Sequence, residues 1–252
     1  MGRGFGVDAG LADEVASEVA RRAEAAGYSS VWATDTPSAD GLANLAAFAQ
    51  ATERIRVGVG VLPLDRHSPE TIVRRVRELG LPVERLWLGI GSGGNARPLR
   101  AVRDAIAPLR DGLPGVSIVV AAMGPQMMRI ASEVGDAVQP NWLIPRTIVE
   151  AKGLYAPGSR AQTIMYVRAA LDPGGRERVG REAGRYAATR PQHFEANEVP
   201  PAEVGVAGDA ASLDAQLAPY EAVLDETVVR ALPASPAPED LFALIEAARP
   251  SR

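Results

Sequence analysis

Two glycine-containing turns are the first candidates for chemistry in this sequence. One reads Leu-Gly-Ile-Gly-Ser-Gly-Gly-Asn over residues 88–95, and the other reads Met-Gly-Pro-Gln over residues 123–126. Backbone N–H groups exposed in such turns, or at the N-terminus of a helix, bind anions. The two turns together could hold one phosphate, whereas either turn alone is explained equally well as a tight connection between a strand and a helix.

Three titratable residues stand where they could act in a site. Asp35 directly follows an apolar run, and it is expected either to bind a ligand or to be a surface or helix-capping aspartate. His67 precedes the helix start Ser68-Pro69, so a structural role is expected for it first. His193 lies in an irregular segment and is expected at the surface.

Arg168 is unusual because it falls inside an apolar run, where a buried guanidinium needs a partner. A carboxylate such as Asp8 or Asp35 would make Arg168 structural, and a bound anion would make it functional. Asn141 and Trp142 end a neighbouring run, and the indole could either line a pocket or cap the core.

The run Arg56–Pro63 carries glycines in its interior, at Gly58 and Gly60. Glycine normally weakens a strand, so these positions indicate either a bulge that serves packing or a flat ligand lying close to the backbone.

Composition excludes several mechanisms. The chain has no cysteine, only two histidines and a single lysine, Lys152, which excludes thiolate and three-histidine metal sites and leaves one position for a Schiff base. The formal net charge of -4 does not favour nucleic acid or anionic lipid as a partner. No apolar run is long enough to span a bilayer and no signal peptide is apparent, so we expect a cytoplasmic protein.

Short β-type runs alternate with helical patterns along the whole chain, which is typical of βα units around a parallel sheet. Eight runs, rich in Val, Ile, Leu and Trp, are predicted as strands buried on both faces: Phe5–Asp8, Ser30–Thr34, Ile55–Leu62, Arg85–Gly91, Ser117–Ala122, Asp136–Asn141, Thr163–Ala170 and Thr227–Leu232. Eight βα units in 252 residues predict an α/β fold of the (β/α)8 TIM-barrel type, with a single domain over residues 1–252. An irregular, lid-like connection is expected between helices at residues 176–188 and 210–222.

The order and spacing of five segments resemble the bacterial luciferase-like monooxygenase family, whose members use flavin or the deazaflavin coenzyme F420. The segments are residues 23–35, 51–64, 88–93, 121–127 and 135–142, together with Arg66, Pro69 and Pro145.

This resemblance implies a cofactor, coenzyme F420 or FMN, bound at the carboxyl ends of the strands. The ring would contact Asp35 and the Gly60-Val61 backbone, where relatives often have a non-prolyl cis peptide, and the phosphate would lie on Ser92, Gly93, Met123 and Gly124 with the helix opened by Pro125 and Gln126. Asn141 and Trp142 would shape the substrate side, with Asp35 and Trp142 as the catalytic candidates. A homodimer is also implied.

Two departures from the family pattern matter. Thr36 stands where deazaflavin-dependent dehydrogenases frequently carry a histidine, and Gly94 or Asn95 replaces a glutamate. No general acid or base is therefore assigned from the sequence. The short segment between the fourth and fifth strands implies an open pocket.

We expect an F420- or FMN-dependent oxidoreductase or monooxygenase acting on a small organic substrate. Two alternatives stay open: a barrel that binds a flavin without catalysis, and a phosphate-binding isomerase or lyase on the same fold.

Overall fold

The computed structural model describes residues 2–251 and contains a closed ring of eight parallel strands. The ring runs β1-β2-β3-β4-β5-β6-β7-β9 and returns to β1, with β6–β7 pairing completing it; β8 pairs only with the end of β7. The strands are β1 (Gly2–Val7), β2 (Ser30–Ala33), β3 (Arg56–Pro63), β4 (Leu86–Gly91), β5 (Ser117–Ala121), β6 (Ala137–Gln139), β7 (Gln162–Leu171), β8 (Val206–Gly208) and β9 (Glu226–Ala231).

Helices follow the strands around the outside of the ring. They are α1 (Asp13–Ala25), α2 (Gly41–Ala51), α3 (Pro69–Glu78), α4 (Pro98–Gly112), α5 (Pro125–Val134), α6 (Pro145–Lys152), α7 (Gly175–Thr189), α8 (Pro191–Ala196), α9 (Ala210–Glu221) and α10 (Pro238–Ala247), with a 3-10 helix at Val83–Arg85. Within residues 2–251, none of these helices combines the length and the apolar character that crossing a membrane requires.

The (β/α)8 barrel prediction is confirmed, because all eight predicted strands form the ring. The connection predicted as irregular contains two short elements that the sequence did not indicate, α8 and β8. β8 has only three residues, which is too short for an alternating pattern to be recognised.

Local sequence signals set the helix that follows β3. The Ser68 hydroxyl accepts a hydrogen bond from the Thr71 amide at 3.2 Å, and Pro69 occupies the first turn, where its missing N–H costs nothing. Ile72 and Val76 then face the barrel and are buried. Because these signals start α3 at Pro69, the turn that follows β3 is limited to residues 64–68.

Large side chains fill the inside of the ring. Trp32 on β2 reaches across to Tyr166 on β7, with ring centroids 6.0 Å apart and planes nearly perpendicular. Gly58 lies directly against the Trp32 indole, so that a Cβ at this position would overlap the ring. Packing with Trp32 therefore accounts for Gly58 without any ligand.

Replacing Gly58 with alanine is expected to lower the free energy of unfolding by about 1–3 kcal/mol, because the added methyl group overfills a packed core. The matched control is Gly184→Ala on the exposed face of α7, where a Cβ meets no atom within 4 Å and helix propensity should add about 0.5–1 kcal/mol. Urea denaturation of both variants measures the difference. Equal stability of Gly58→Ala and the wild type would contradict the packing account.

Candidate functional site

A buried carboxylate lies at the carboxyl ends of β2 and β3. The Asp35 side chain is 2 % exposed and accepts hydrogen bonds on Oδ2 from Arg66 Nη2 at 2.7 Å and from His67 Nε2 at 3.0 Å. Its Oδ1 accepts a third from the Gly41 amide at 3.1 Å. Asp35 follows β2, while Arg66 and His67 come from the turn after β3, so the pairing of neighbouring parallel strands brings the three together. We call Asp35, Arg66 and His67 the Asp35 cluster.

The interpretation of Asp35 as a surface aspartate is wrong, because its side chain is buried; its contribution at the start of α2 is limited to the Gly41 amide, and the N-cap residue is Asp40. The cap of α2 is Asp40, whose Oδ1 accepts from the Leu42 amide at 2.9 Å. Asp35 lies between the start of α2 and the turn that follows β3. Its burial is tolerated because an arginine, an imidazole and a backbone amide all donate hydrogen bonds to the carboxylate.

His67 is the acid–base candidate that the sequence did not assign. When its Nε2–H donates to Asp35, the other ring nitrogen, Nδ1, is left as an acceptor, and it makes no hydrogen bond within residues 2–251. The side chain is 26 % exposed, so Nδ1 is accessible to a ligand. A carboxylate that orients a histidine in this way fixes its tautomer. The sequence could have indicated this contact, because Asp35 and His67 each follow one of two strands, β2 and β3, that are adjacent in the barrel.

Asp35→Asn should release this tautomer, because a carboxamide can present a donor or an acceptor to the ring. The ¹⁵N shifts of the His67 imidazole, recorded at a pH where they no longer change on adding base, are expected to show the Nε2–H form in the wild type and a mixture in the variant. With two histidines in the chain, a His193→Gln sample assigns the signals. Identical ¹⁵N shifts in wild type and Asp35→Asn would contradict the contact.

The middle of β3 bulges beside this cluster. Its register with β4 shifts between Val59 and Leu62, and the Gly60-Val61 peptide is cis, as the family resemblance implied. Gly60 faces Tyr166 Oη and Gln139 Nε2, which are both buried and have no hydrogen-bond partner within residues 2–251. Burial raises the pKa of Tyr166, so its phenol stays neutral.

The two glycine turns differ in the structure. In the first, Gly93 has a positive φ of 58° and Asp65 lies against it, accepting a hydrogen bond from the Gly94 amide at 2.7 Å. This part of the predicted anion cradle, at Ser92 and Gly93, is therefore already next to a carboxylate of the chain. An incoming phosphate there would meet like charge.

The second turn is open. Gly124 caps α5 with no side-chain hydrogen bond, Pro125 occupies the first turn, and a Cβ at Gly124 would meet no atom within 4 Å. The free amides of the first turn of α5 therefore face open space, which suits an anion. Met123 and Gln126 flank this space.

Trp142 lies in a buried aromatic group rather than at an open pocket wall. It is 3 % exposed, has a positive φ of 55°, and contacts Tyr186 at 5.4 Å and Phe194 at 6.3 Å between ring centroids. On its other side the Arg168 guanidinium stacks 3.8 Å from the ring centre. The structure thus gives Trp142 a packing contact with Arg168, and its assignment as catalytic stays a prediction.

The expectation that His193 lies at the surface is wrong. It is 8 % exposed, and its Nε2–H donates to the Asn141 carbonyl at 2.7 Å. Because α8 packs against the residues that follow β6, the irregular segment folds over the end of this strand. Desolvation lowers the pKa of His193, although the hydrogen bond to Asn141 opposes the shift.

The lowered pKa makes the stability of the chain dependent on pH. The unfolded chain binds a proton at His193 near its ordinary pKa of 6.5, more readily than the folded chain does, so the stabilisation present above that pH is lost as the pH falls. Urea denaturation between about pH 7.5 and about pH 5.5 should show a smaller loss of stability in His193→Gln than in the wild type. The same loss in both proteins would exclude His193 as its source.

Residues 8–111, which contain the Asp35 cluster and the bulge of β3, match the family model of the luciferase-like monooxygenases. The family resemblance is confirmed. A 5,10-methylenetetrahydromethanopterin reductase from Methanolobus tindarius is 27% identical over 193 residues, which cover 62% of this chain and 59% of that protein. The match thus spans less than two thirds of the curated relative.

Solved structures show the same luciferase-like barrel. An F420-dependent secondary alcohol dehydrogenase, solved with an F420-acetone adduct, superposes with a TM-score of 0.72 at 17% identity, covering 98% of this chain and 97% of that chain. The FMN complex of the oxygenating constituent of 3,6-diketocamphane monooxygenase from Pseudomonas putida gives 0.66 at 14% identity, covering 99% and 97%. At these identities the likeness establishes the fold of this chain.

Proposed function

We propose that this luciferase-like barrel binds coenzyme F420 or FMN at the carboxyl ends of its strands and is an oxidoreductase acting on a small organic substrate. The observation that carries the proposal is the Asp35 cluster, which lies within the stretch matched by the family and presents an accessible imidazole nitrogen. Relatives named as F420-dependent or bound to FMN support the choice of cofactor.

The residues present fit such a cofactor at two places. The bulge at Gly60 and Val61 offers backbone beside the unpartnered Gln139 Nε2, where the edge of a polar ring system could accept a hydrogen bond. The open first turn of α5, at Gly124, offers free amides to a phosphate. In this proposal Met123, Pro125 and Gln126 flank that phosphate.

The same placement accounts for the remaining predicted contacts. Asn141 would lie on the substrate side with Trp142 behind it. Ser92 and Gly93 would contact an uncharged part of the cofactor, because the Asp65 carboxylate lies against this turn and accepts a hydrogen bond from the Gly94 amide.

A bound flavin or deazaflavin would supply hydride or oxygen chemistry. The protein would bind and orient the cofactor and the substrate and would provide the electrostatic environment. His67 Nδ1 would accept or return the proton that accompanies substrate oxidation or reduction. Asp35 would orient the imidazole and balance its charge when it is protonated, and Arg66 would hold the carboxylate in place. His67 thereby takes the position of the general acid or base that Thr36 does not provide.

A homodimer and a single barrel domain over the chain belong to the same proposal and rest on the family resemblance. The alcohol dehydrogenase structure covers nearly the whole chain, which supports the domain assignment.

Fluorescence titration of the protein with FMN and separately with F420 tests the proposal. We expect one of them to bind with a micromolar or lower dissociation constant, and Gly124→Asp to weaken that binding by about 100-fold or more because a carboxylate would fill the anion space. Gly184→Asp, at a glycine that is equally open but lies on the outer face of α7, is the matched control and should bind as the wild type does.

Absence of binding for both cofactors would overturn the proposal and favour the alternative of a phosphate-binding isomerase or lyase. Unchanged affinity in Gly124→Asp would remove α5 from the site while leaving the class of cofactor intact.

A further inference from the structure

Arg168 is a cation at the mouth of the barrel with no counter-ion. Its two candidate partners are engaged elsewhere: Asp8 forms an ion pair with Arg230, and Asp35 forms its own with Arg66. Among residues 2–251 no carboxylate forms an ion pair with Arg168, and Glu182 on α7 acts on it only at longer range. The side chain is partly buried and its Nε is fully buried, so an anion from outside the chain would offset the cost of leaving this charge without a counter-ion.

One edge of the Arg168 guanidinium is free. Nη1 donates to the Asn141 side-chain oxygen at 2.5 Å and to the Tyr166 carbonyl at 3.4 Å. Nε is buried with no partner, and within residues 2–251 Nη2 also makes no hydrogen bond. The two N–H groups of the Nε–Nη2 edge point the same way, and this edge matches the two oxygens of a carboxylate.

The surroundings hold this edge in place and make it electropositive. The Trp142 ring lies 3.8 Å from the guanidinium carbon, which fixes the plane of the group. Arg230 on β9 pairs in register with Arg168 on β7, so two cations share one side of the mouth with the single carboxylate of Asp8. Desolvation and the charge of Arg230 lower the pKa of Arg168 to about 10, which leaves it charged at neutral pH.

We propose that the Nε–Nη2 edge of Arg168 binds the carboxylate of an anionic organic substrate. This inference builds on the proposed function, since it names the substrate class for the same barrel mouth. Arg168 is presented by β7, across the ring from the Asp35 cluster of β2 and β3. A carboxylate held at Arg168 would orient the remainder of the substrate toward the axis of the barrel.

Benzoate and its neutral isostere benzamide are the probes, added to the protein without cofactor while tryptophan fluorescence is followed. Because Trp142 contacts Arg168, we expect benzoate to produce a saturable change and benzamide to produce none. In Arg168→Met the dissociation constant for benzoate should rise by about 10-fold to 100-fold, which is the loss of a charge-assisted hydrogen-bonded pair.

Two controls and one further variant keep this result interpretable. Arg181→Met removes an arginine on α7 that is 52 % exposed, and it should bind benzoate as the wild type does. Arg168→Met should retain the thermal unfolding midpoint of the wild type or raise it, because an apolar side chain of similar size replaces an uncompensated buried charge. Arg168→Lys, which keeps the charge but not the two-pronged edge, should bind benzoate more weakly than the wild type.

Titration with FMN and with riboflavin, which lacks the phosphate, distinguishes the source of the anion. If Arg168→Met loses affinity for FMN and not for riboflavin, Arg168 binds the cofactor phosphate and the substrate proposal is overturned. Equal binding of benzoate by Arg168→Met and the wild type, or no saturable response in the wild type, also overturns it. Failure of the wild type to bind FMN or F420 would refute the cofactor proposal alone, because the benzoate experiment needs no cofactor.

Discussion

Closure of the strand ring is the constraint on which the rest of this structure depends. The seam between β6 and β7 is short, with Ala137 opposite Gln162 and Val138 opposite Thr163. Once closed, the ring leaves no strand edge among the eight and encloses a space that side chains must fill. Trp32 and Tyr166 do so from opposite sides. Because all eight strands are parallel, closure also collects their carboxyl ends at one mouth.

Filling the ring dictates where glycine is needed in β3. Gly58 accommodates the Trp32 indole, and Gly60 accommodates the phenol of Tyr166. The two glycines look alike in the sequence but have different surroundings: the first is enclosed by the core, while the second sits in the bulge that borders the Asp35 cluster. The same packing that closes the interior therefore shapes one wall of the candidate site.

Charge at the mouth is unevenly balanced. Three carboxylates of the candidate site are engaged within the chain, Asp35 by Arg66 and His67, Asp65 by the Gly94 amide, and Asp8 by Arg230. Arg168 has no such partner, and the first turn of α5 offers unpaired amides. Hydrogen-bond donors are therefore unsatisfied at two places in the mouth, Arg168 and the first turn of α5, and these three carboxylates already have other partners. This arrangement favours small anions as ligands. His67 is the accessible group that can exchange a proton beside them.

The sequence by itself determined the barrel, since strand composition, helix caps and the alternation of elements are local properties that each segment carries. It also determined which polar residues stand at strand ends, among them Asp35, Asn141 and Arg168. Only the tertiary structure decided how those residues pair. His67 is a candidate proton carrier because it contacts Asp35, which is 32 positions away in the chain. Arg168 has no ion-pair partner because Asp8 forms its ion pair with Arg230. The burial of His193, which lies on α8, and of Trp142, which packs against Phe194 of α8, could likewise not be predicted from local pattern. Periodicity reports which face of an element is apolar, whereas charge pairing depends on distances that exist only after the ring has closed.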